Sequence, residues 1–533
     1  MSTLEGTWSL TKLILRRDRF RLTVWVLVLA LIPVSTASAF IGLYPDEASR
    51  QALAATVGGS PAFTALLGPL YDTSIGGLTA WRIGTLGSLF VALMAVLTMI
   101  RHSREEEETG RRELLGSTVL GRHAPLSAAV FVVVGAGLLV GSILAAGLTG
   151  LGLPLTGSLA YGLAFALAAL AFAGVGAVSA QLTESASAAR GIAVGATGFV
   201  FMLRMAGDAG ASSGLGWLAW LSPFGWFSKL RPFGGEELWV LLLWLVFGVV
   251  TIVVAFGISA RRDVGAGAFP PRPGPAKAGP GLSSPFGLAW RLQRGAFLGW
   301  ALGIGALGIV YGAAGDSIGE MLEGNPQFAQ IFEQLGGEQA IVDTFFSVAV
   351  GIIAIISSAY AIRSVLRLRV EEEGQRAEHV LVTATPRTRW AWSHLVFGVV
   401  GPVLILALAG ALAGASYGLI VGDVSGQVPR VLGAAMIQLP AVWVLTGAAM
   451  ALYGLAPRFT GVSWGLLVAF LLLGQLGQIL QFPQWALDLS PFSHIPLVPA
   501  EELEALPLVL LVAVAVALVG AGLAGFRRRD VDF

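Results

Sequence analysis

Long runs of apolar residues constrain this chain more than any other feature of its sequence. A helix needs about 20 apolar residues to cross a bilayer, at a rise of about 1.5 Å per residue. Twelve runs meet this requirement, and they cover residues 22–43, 83–100, 126–150, 158–182, 191–207, 238–260, 296–314, 344–362, 395–420, 431–455, 460–481 and 507–526. The runs are continuous rather than alternating, which excludes a β-barrel. The sequence therefore predicts an all-α polytopic membrane protein with twelve spans.

The composition agrees with a membrane location and narrows the possible functions. Only 12% of the residues are charged and 55% are hydrophobic, whereas soluble domains carry about 25% charged residues. The net charge of +1 gives no reason to expect a nucleic-acid partner. The chain has no cysteine, which excludes disulfides, thiol catalysis and cysteine-based metal sites.

The distribution of lysine and arginine predicts the orientation of the spans. Basic residues cluster in segments 12–21, 101–122, 261–294, 363–389 and 527–529. Even numbers of predicted spans separate these segments, so all of them should lie on one side of the membrane. Basic loops face the cytoplasm. We therefore expect both termini to be cytoplasmic.

Two charged segments between spans have related sequences. Arg104–Arg122 reads REEEETGRRELLGSTVLGR, and Arg369–Arg387 reads RVEEEGQRAEHVLVTATPR. They align without gaps at a constant offset, since 369 − 104 and 387 − 122 both give 265. The paired positions are Arg104 with Arg369, Glu106 with Glu371, Glu107 with Glu372, Glu108 with Glu373, Arg111 with Arg376, Glu113 with Glu378, Thr118 with Thr383 and Arg122 with Arg387.

The duplication extends beyond the charged segments. Leu221–Phe224 matches Leu489–Phe492, and Arg261–Val264 matches Arg528–Val531. Because each copy holds an even number of spans, the copies should point the same way, as a parallel repeat about an axis normal to the membrane. The sequence therefore predicts a first six-span repeat over 1–263, a Pro/Gly-rich cytoplasmic linker over 264–284, and a second six-span repeat over 285–533.

Each predicted repeat begins with a basic stretch that also contains aromatic and aliphatic residues. These stretches are residues 5–21 and 285–295. We interpret both as amphipathic helices that lie on the cytoplasmic leaflet. The alternative is an ordinary basic flank that only sets the topology.

The sequence offers little chemistry of its own. No Gly-x-x-x-x-Gly-Lys-Ser/Thr phosphate loop occurs, so the chain has no such ATP site. The five histidines are His102, His123, His379, His394 and His494, and none has metal-ligand spacing. Ionisable residues are absent from the predicted spans except near their ends, and proton-coupled carriers would be expected to retain one. We interpret Arg204 and Asp208 as a helix-end ion pair whose arginine reaches toward the membrane surface.

The repeated glutamates are the strongest functional candidates. A run of four glutamates usually indicates a solvated loop. Here the pattern recurs in register, between the second and third span of both copies. Crowded like charges would be stabilised by a complementary basic groove. We hypothesise that each segment is a coupling helix docked on one ATPase subunit.

These features together resemble a known family. The predicted N-terminal amphipathic helix, six spans and a charged segment between spans two and three resemble the permeases of ABC-2-type exporters. The doubled Glu-Glu-Glu-x-x-Arg-x-Glu segment and the two repeated motifs resemble fused twelve-span permeases of the tetronasin-resistance type, which export polyketide antibiotics. The resemblance implies an ATPase encoded separately and bound in two copies, which carry the ATP and magnesium. It also implies export of hydrophobic drug-like or lipid-like compounds across a bacterial plasma membrane.

The resemblance also assigns roles to residues, though not uniformly. It implies an ATPase-coupling role for the paired positions in the two charged segments, which are Arg104, Glu106, Glu107, Glu108, Arg111 and Glu113 with Arg369, Glu371, Glu372, Glu373, Arg376 and Glu378. Glu105 corresponds to Val370, and Leu114 corresponds to His379, so the two docking surfaces need not be equal. Two other functions remain open. One is an ion-coupled secondary transporter, and the other is a non-transport membrane protein such as a scaffold.

Overall fold

The computed structural model describes residues 3–58, 61–116, 119–211, 214–269, 274, 276–323, 338–476, 483–500 and 503–530. All regular secondary structure in these ranges is helical. The chain divides into two compact units, Met1–Pro273 (unit 1) and Gly274–Phe533 (unit 2).

Unit 1 contains long helices separated by short ones. Its α-helices are α1 Thr7–Leu43, α2 Glu47–Gly58, α3 Pro61–Leu67, α4 Ile75–Arg101, α5 Arg104–Glu108, α6 Arg111–Gly116, α7 Ala124–Gly150, α8 Leu155–Leu182, α9 Ala186–Ala209, α10 Gly225–Leu230 and α11 Leu241–Arg261. Short 3-10 helices at Gly216–Leu221 and Leu238–Val240 flank α10.

Unit 2 has a similar succession of long helices. Its α-helices are α12 Pro285–Glu323, α13 Glu338–Glu373, α14 Arg376–Leu381, α15 Arg387–Val421, α16 Val424–Ile437, α17 Leu439–Leu455, α18 Val462–Leu476, α19 Gln484–Leu487 and α20 Ala505–Arg528. Three 3-10 helices, Pro280–Leu282, Pro457–Phe459 and Pro491–His494, complete the regular structure described for this unit.

Eleven helical stretches of the described chain are long and apolar enough to cross a membrane. They coincide in order with eleven of the twelve predicted spans. The remaining prediction, residues 460–481, coincides with α18, which is apolar but only 15 residues long as described. Residues 477–481 at the end of that predicted span lie outside the described residues.

The two predicted interfacial helices do not exist as separate elements. Residues 7–21 are the beginning of α1, which continues without a break to Leu43. Residues 285–295 are likewise the beginning of α12. Neither basic stretch is followed by a proline that could end a helix before the span begins. The helical hydrogen bonds therefore continue from the basic stretch into the apolar run.

Small residues let neighbouring helices approach closely in both units. Gly141 of α7 and Gly162 of α8 face each other, and a Cβ added to either would overlap the carbonyl oxygen of the other. A Cβ added to Gly454 of α17 would overlap the carbonyl oxygen of Gly522 on α20, and one added to Gly522 would overlap the carbonyl oxygen of Met450 on α17. Membrane helices associate through such close backbone packing, since lipid provides no hydrophobic driving force between them.

The beginning of the predicted linker is fixed to unit 1. Ala268 N donates to Gln181 O at 2.9 Å, and Phe269 N donates to Leu182 O at 3.0 Å. These bonds satisfy carbonyls at the C-terminal end of α8, which have no partner within their own helix. Residues 264–269 therefore continue the packed end of unit 1.

Candidate functional site

The first charged segment folds as two short helices. α4 ends at Arg101, and α5 then holds the four glutamates before a turn leads into α6. Gly110 makes this turn with a φ of 70°, a left-handed conformation that glycine adopts without steric cost. Residues 117 and 118 of the predicted segment lie outside the described residues.

Glu107 is the most strongly held glutamate of this segment. Only 3% of its side chain is exposed, and Arg104 Nη1 lies 2.9 Å from Oε2. Arg262 Nη2 donates to both carboxylate oxygens at 2.9 Å. Arg112 forms a third ion pair with the same carboxylate. One buried carboxylate therefore joins α5, α6 and the residue that follows α11.

Arg104 is also buried and bonds to the backbone of other elements. Its Nε donates to Ala180 O at 2.6 Å, near the end of α8. Its guanidinium also donates to Gly265 O and Ala266 O at 3.2 Å. The side chain is 0% exposed, so its position is fixed within unit 1.

The other glutamates of the segment also have partners inside unit 1. Arg17 Nη2 of α1 lies 2.5 Å from Glu106 Oε1. Glu108 accepts a 2.8 Å hydrogen bond from Ala186 N, one of the unpaired donors at the start of α9. Glu105 forms an ion pair with Arg190. The complementary positive charge that we expected from a partner protein is thus supplied largely by the chain itself.

The second charged segment is built differently. α13 continues without interruption through Glu373, and Gln375 makes the turn to α14 with a φ of 56°. Glu371 lies 2.6 Å from Arg367 and 2.8 Å from Arg376. Arg369 lies 2.7 Å from Glu373, one helical turn away. These pairs join residues close in sequence, whereas Glu106 and Glu107 also pair with the distant Arg17 and Arg262.

One long-range ion pair nevertheless occurs in both units. Arg529 Nη2 donates to Glu372 at 2.7 and 2.9 Å, as Arg262 does to Glu107. In sequence the offsets are 372 − 107 = 265 and 529 − 262 = 267. Each unit therefore ties the middle glutamate of its charged segment to the arginine that follows its last long helix.

A second repeated contact reinforces the first. Arg122 Nη2 donates to Arg262 O at 2.8 Å, and Arg387 Nη1 donates to Arg529 O at 2.8 Å. Arg122 and Arg387 are paired positions of the two segments. Sequence reasoning identified both repeated motifs but did not predict that they touch. The charged segment and the Arg-Arg-Asp-Val motif recur in the second copy at nearly the same offsets, 265 and 267 residues. This shared offset was the sequence signal that could have suggested the contact.

The arginines around Glu107 remain charged at neutral pH. Burial lowers the pKa of Arg112 to about 10, and the neighbouring cations Arg262 and Arg104 act in the same direction. Burial, followed by the charge of Arg122, lowers the pKa of Arg262 to about 10. Both values lie well above neutral pH, so the cluster consists of ionic pairs.

Only part of each charged segment is available to a partner. In the first, Glu108, Arg111 and Glu113 are exposed, and 57% of the Arg111 side chain is accessible. In the second, the corresponding exposed residues are Glu373, Arg376 and Glu378. The Glu373 and Arg376 side chains are 59% and 57% exposed. The predicted site residues thus divide into two sets. The exposed set is Glu108, Arg111, Glu113, Glu373, Arg376 and Glu378, and the internal set is the less exposed positions Arg104, Glu106, Glu107, Arg369, Glu371 and Glu372.

The predicted pair of Arg204 and Asp208 forms, with 2.7 Å between Nε and Oδ2. The expectation that the arginine reaches toward the membrane surface is wrong, because 0% of its side chain is exposed. Arg204 Nη1 instead donates to Ala65 O at 2.8 Å and Leu66 O at 3.0 Å. These carbonyls end α3 and lack helical partners, so the arginine caps a neighbouring helix.

Unit 2 contains a further ion pair that sequence reasoning missed. Arg430 of α16 pairs with Asp343 of α13. Each residue lies just before a predicted span, 344–362 or 431–455. Among the described residues no group of three or more His, Cys, Asp or Glu side chains has the arrangement of a metal site.

This architecture defines a polytopic α-helical membrane protein, with a charged cluster at the end of its long helices in each unit. The chain belongs to the family of multidrug efflux system permeases. It is 44% identical over 532 residues to the multidrug efflux system permease protein Rv1217c of Mycobacterium tuberculosis, and the match covers 99% of this chain and 96% of that protein. Residues 282–527 match the family described as multidrug efflux system permease Rv1217c, C-terminal domain. This kinship confirms the expected role of a membrane transport permease.

Proposed function

We propose that this chain supplies both membrane halves of an ATP-driven exporter of the ABC-2 type, close to the tetronasin-resistance permeases. A separate ATPase binds in two copies on the cytoplasmic side and carries ATP and magnesium. The sequence contains no phosphate loop, which supports the proposal that a separate chain hydrolyses the ATP. The kinship with a multidrug efflux permease supports hydrophobic drug-like, antibiotic or lipid-like compounds as cargo. The membrane is the bacterial plasma membrane, with both termini inside.

The proposal includes two parallel six-span repeats, 1–263 and 285–533, joined by the linker 264–284. Equivalent contacts in the two units support this organisation. The fourth span of each unit packs closely against the sixth, through Gly174 and Gly248 in unit 1 and through Gly454 and Gly522 in unit 2. Each unit also joins its charged segment to its last helix by the same Glu–Arg pair.

The observation that carries the proposal is this repeated tie between segment and helix. A coupling segment must be attached rigidly to the helices that it moves. Glu107 with Arg262, and Glu372 with Arg529, provide this attachment. The exposed set, which is Glu108, Arg111, Glu113, Glu373, Arg376 and Glu378, faces outward and contacts the ATPase. When the ATPase moves, each charged segment moves with it and displaces the packed helices. The permease thereby changes from one conformational state to another.

Charge reversal at exposed positions tests the proposal without disturbing the internal set. The permease is co-expressed with the separate ABC ATPase that the proposal requires, and the complex is purified through a tag on the permease. We expect Glu113→Lys together with Glu378→Lys, at two exposed positions that form no ion pair in the described residues, to abolish recovery of the ATPase while the permease is still inserted. Glu47→Lys in α2 is a matched control. Glu47 follows the C-terminal end of α1, whereas the charged segment lies near the N-terminal end of α1.

The energy source separates the proposal from the main alternative. Transport of an apolar fluorescent dye into inverted vesicles should require hydrolysable ATP and should continue in the presence of a protonophore. Transport that a protonophore stops, with or without ATP, would instead identify an ion-coupled carrier. Unchanged recovery of the ATPase from the double reversal would refute docking through the exposed set.

A further inference from the structure

Near their beginnings, α1 and α12 carry the same pair of arginines. Arg16 and Arg19 lie on α1, and Arg291 and Arg294 lie on α12. The offset is constant, since 291 − 16 and 294 − 19 both give 275. Residues three positions apart on a helix are neighbours on one face. Each unit therefore presents two guanidinium groups side by side.

The side chains of both arginine pairs are exposed and have no partner within the described ranges. They form no ion pair and no hydrogen bond there. Their neighbours in α1 differ in this respect. Arg17 lies 2.5 Å from Glu106, and the Asp18 carboxylate lies 3.0 Å from Arg101. The charges of the two pairs are thus left without a counter-charge from the protein.

Both arginine pairs lie on the side of their helix that faces away from the packed unit. Asp18 of α1 is 4% exposed, and Gln293, at the same offset of 275, is 1% exposed. Each of these buried residues lies between the two arginines of its helix in sequence. The repeat therefore preserves an inward polar residue and an outward arginine pair at the same positions of the two helices.

Exposed apolar side chains continue the outward face of each helix. Leu27 of α1 is 43% exposed, and Leu302 of α12, again 275 positions later, is 70% exposed. Both helices contain stretches long and apolar enough to cross a membrane. Such a face contacts lipid tails, which are as apolar as leucine.

The arginine pairs lie next to the apolar runs of these spans. Arg19 precedes the run 22–43 by three positions, and Arg294 precedes the run 296–314 by two. Either distance is less than one helical turn of about 5.4 Å. Because the hydrocarbon core is flanked directly by the headgroup layer, the arginines lie at the depth of the lipid headgroups.

Two neighbouring guanidinium groups suit a phosphate. Each presents its N–H donors in a plane that matches two phosphate oxygens. A headgroup with a net negative charge would supply the missing counter-charge. A zwitterionic headgroup would bring its own cation close to the arginines, and like charges repel.

We propose that each arginine pair binds the headgroup of one anionic phospholipid, whose acyl chains lie along the exposed apolar face of α1 or α12. This binding goes beyond the proposed function, because it depends neither on the ATPase nor on the cargo. Unit 1 has a further exposed cation, Lys12, one turn before Arg16, whereas the corresponding residue of unit 2 is Gly287. The site on α1 therefore binds the lipid more tightly than the site on α12.

Native mass spectrometry of the delipidated, detergent-purified permease tests both sites. The protein is titrated with phosphatidylglycerol and, separately, with phosphatidylcholine that has the same acyl chains. We expect two saturable sites for phosphatidylglycerol and binding of phosphatidylcholine that is weaker by about tenfold. Glycerophosphoglycerol, the same headgroup without acyl chains, should not displace the lipid at equal concentration.

Glutamine variants assign the two sites to their helices. Arg16→Gln with Arg19→Gln should weaken one phosphatidylglycerol site by about tenfold or more, and Arg291→Gln with Arg294→Gln should weaken the other. The four positions are exposed, so the variants should fold. Each pair is tested separately, so that either variant can refute the proposal alone.

A control variant removes the same charge from a different arrangement. Arg527 and Arg528 are exposed at the end of α20. Because they are adjacent in sequence, their side chains point about 100° apart around the helix and do not grip one phosphate together. Arg527→Gln with Arg528→Gln should therefore leave both phosphatidylglycerol sites intact.

Four outcomes would overturn the inference. Equal binding of the two phospholipids would show that the headgroup charge is not recognised. Displacement by glycerophosphoglycerol would show that the acyl chains contribute nothing. An equal loss in the control variant would show a response to net charge alone, and unchanged phosphatidylglycerol binding in either arginine-pair variant would show that the lipid binds elsewhere.

Discussion

Arg262 Nη2 lies 2.9 Å from both carboxylate oxygens of Glu107, across 155 residues of sequence. Arg529 and Glu372 repeat this geometry at 2.7 and 2.9 Å in unit 2. Both glutamates are almost completely buried. A charge in such a position stabilises a fold only when its partner is present, because desolvation otherwise exceeds any gain.

Removing one partner of the pair should therefore destabilise unit 1. Glu107→Gln leaves Arg104, Arg112 and Arg262 without their common counter-charge. We expect a loss of about 3–5 kcal/mol, measured as a lower unfolding temperature of the detergent-purified protein. Glu372→Gln should cost less, since Arg529 is the only ion-pair partner of Glu372 in the described part of unit 2.

A double-mutant cycle distinguishes a direct interaction from general damage. Glu107→Gln combined with Arg262→Gln should be less destabilised than the sum of the two single variants. Residues in one ion-pair network usually couple by about 0.5–3 kcal/mol. Simple additivity of the two effects would show that the pair contributes no interaction energy.

The glycine contacts give a second prediction about stability. Gly141→Leu on α7 should separate α7 from α8, because a side chain there overlaps Gly162. The expected cost is at least about 1–3 kcal/mol, with reduced yield of monodisperse protein in size-exclusion chromatography. Gly135→Leu is the control on the same helix, since nothing lies within 4 Å of its added Cβ. Equal yields of the two variants would contradict the close packing.

The buried Arg204 provides a third test. Arg204→Met keeps the apolar stem but leaves Asp208 without its cation, and it removes the donors to Ala65 O and Leu66 O. We expect a loss of about 3–5 kcal/mol, measured by thermal unfolding. The exposed Arg82→Met should change stability little. If the Arg204→Met protein is as stable as the unaltered chain, the Arg204–Asp208 pair must be in contact with water rather than buried.

Several features of this protein could be predicted from its sequence, because they depend on local pattern. Continuous apolar runs predicted twelve spans, and eleven of them coincide in order with helices that are long enough to cross a membrane. The register of the charged segments, from Arg104 and Arg369 onward, identified the residues that the structure brings together with the ends of the long helices.

Other features depend on tertiary contacts that no local pattern encodes. Glu106 and Glu107 appeared to need a partner protein, because nothing in the segment indicates that Arg17 and Arg262 lie beside them. The prediction of two separate interfacial helices was wrong for a different reason. Amphipathic composition and a basic flank are compatible with both a flat helix and the start of a long one, and only the absence of a helix break before Leu43 distinguishes them.

The absence of native cysteine allows the most direct test of the central claim, which is that both charged segments touch an ATPase. Arg111→Cys and Arg376→Cys variants carry a thiol-linked photo-crosslinker, and Glu47→Cys is the control. After illumination of the complex in membranes, the crosslinked partner is identified by mass spectrometry. The account predicts that Arg111→Cys and Arg376→Cys each crosslink to an ATPase subunit and that Glu47→Cys does not. Failure of both segment positions to crosslink, in a membrane that still exports its cargo with ATP, would contradict it.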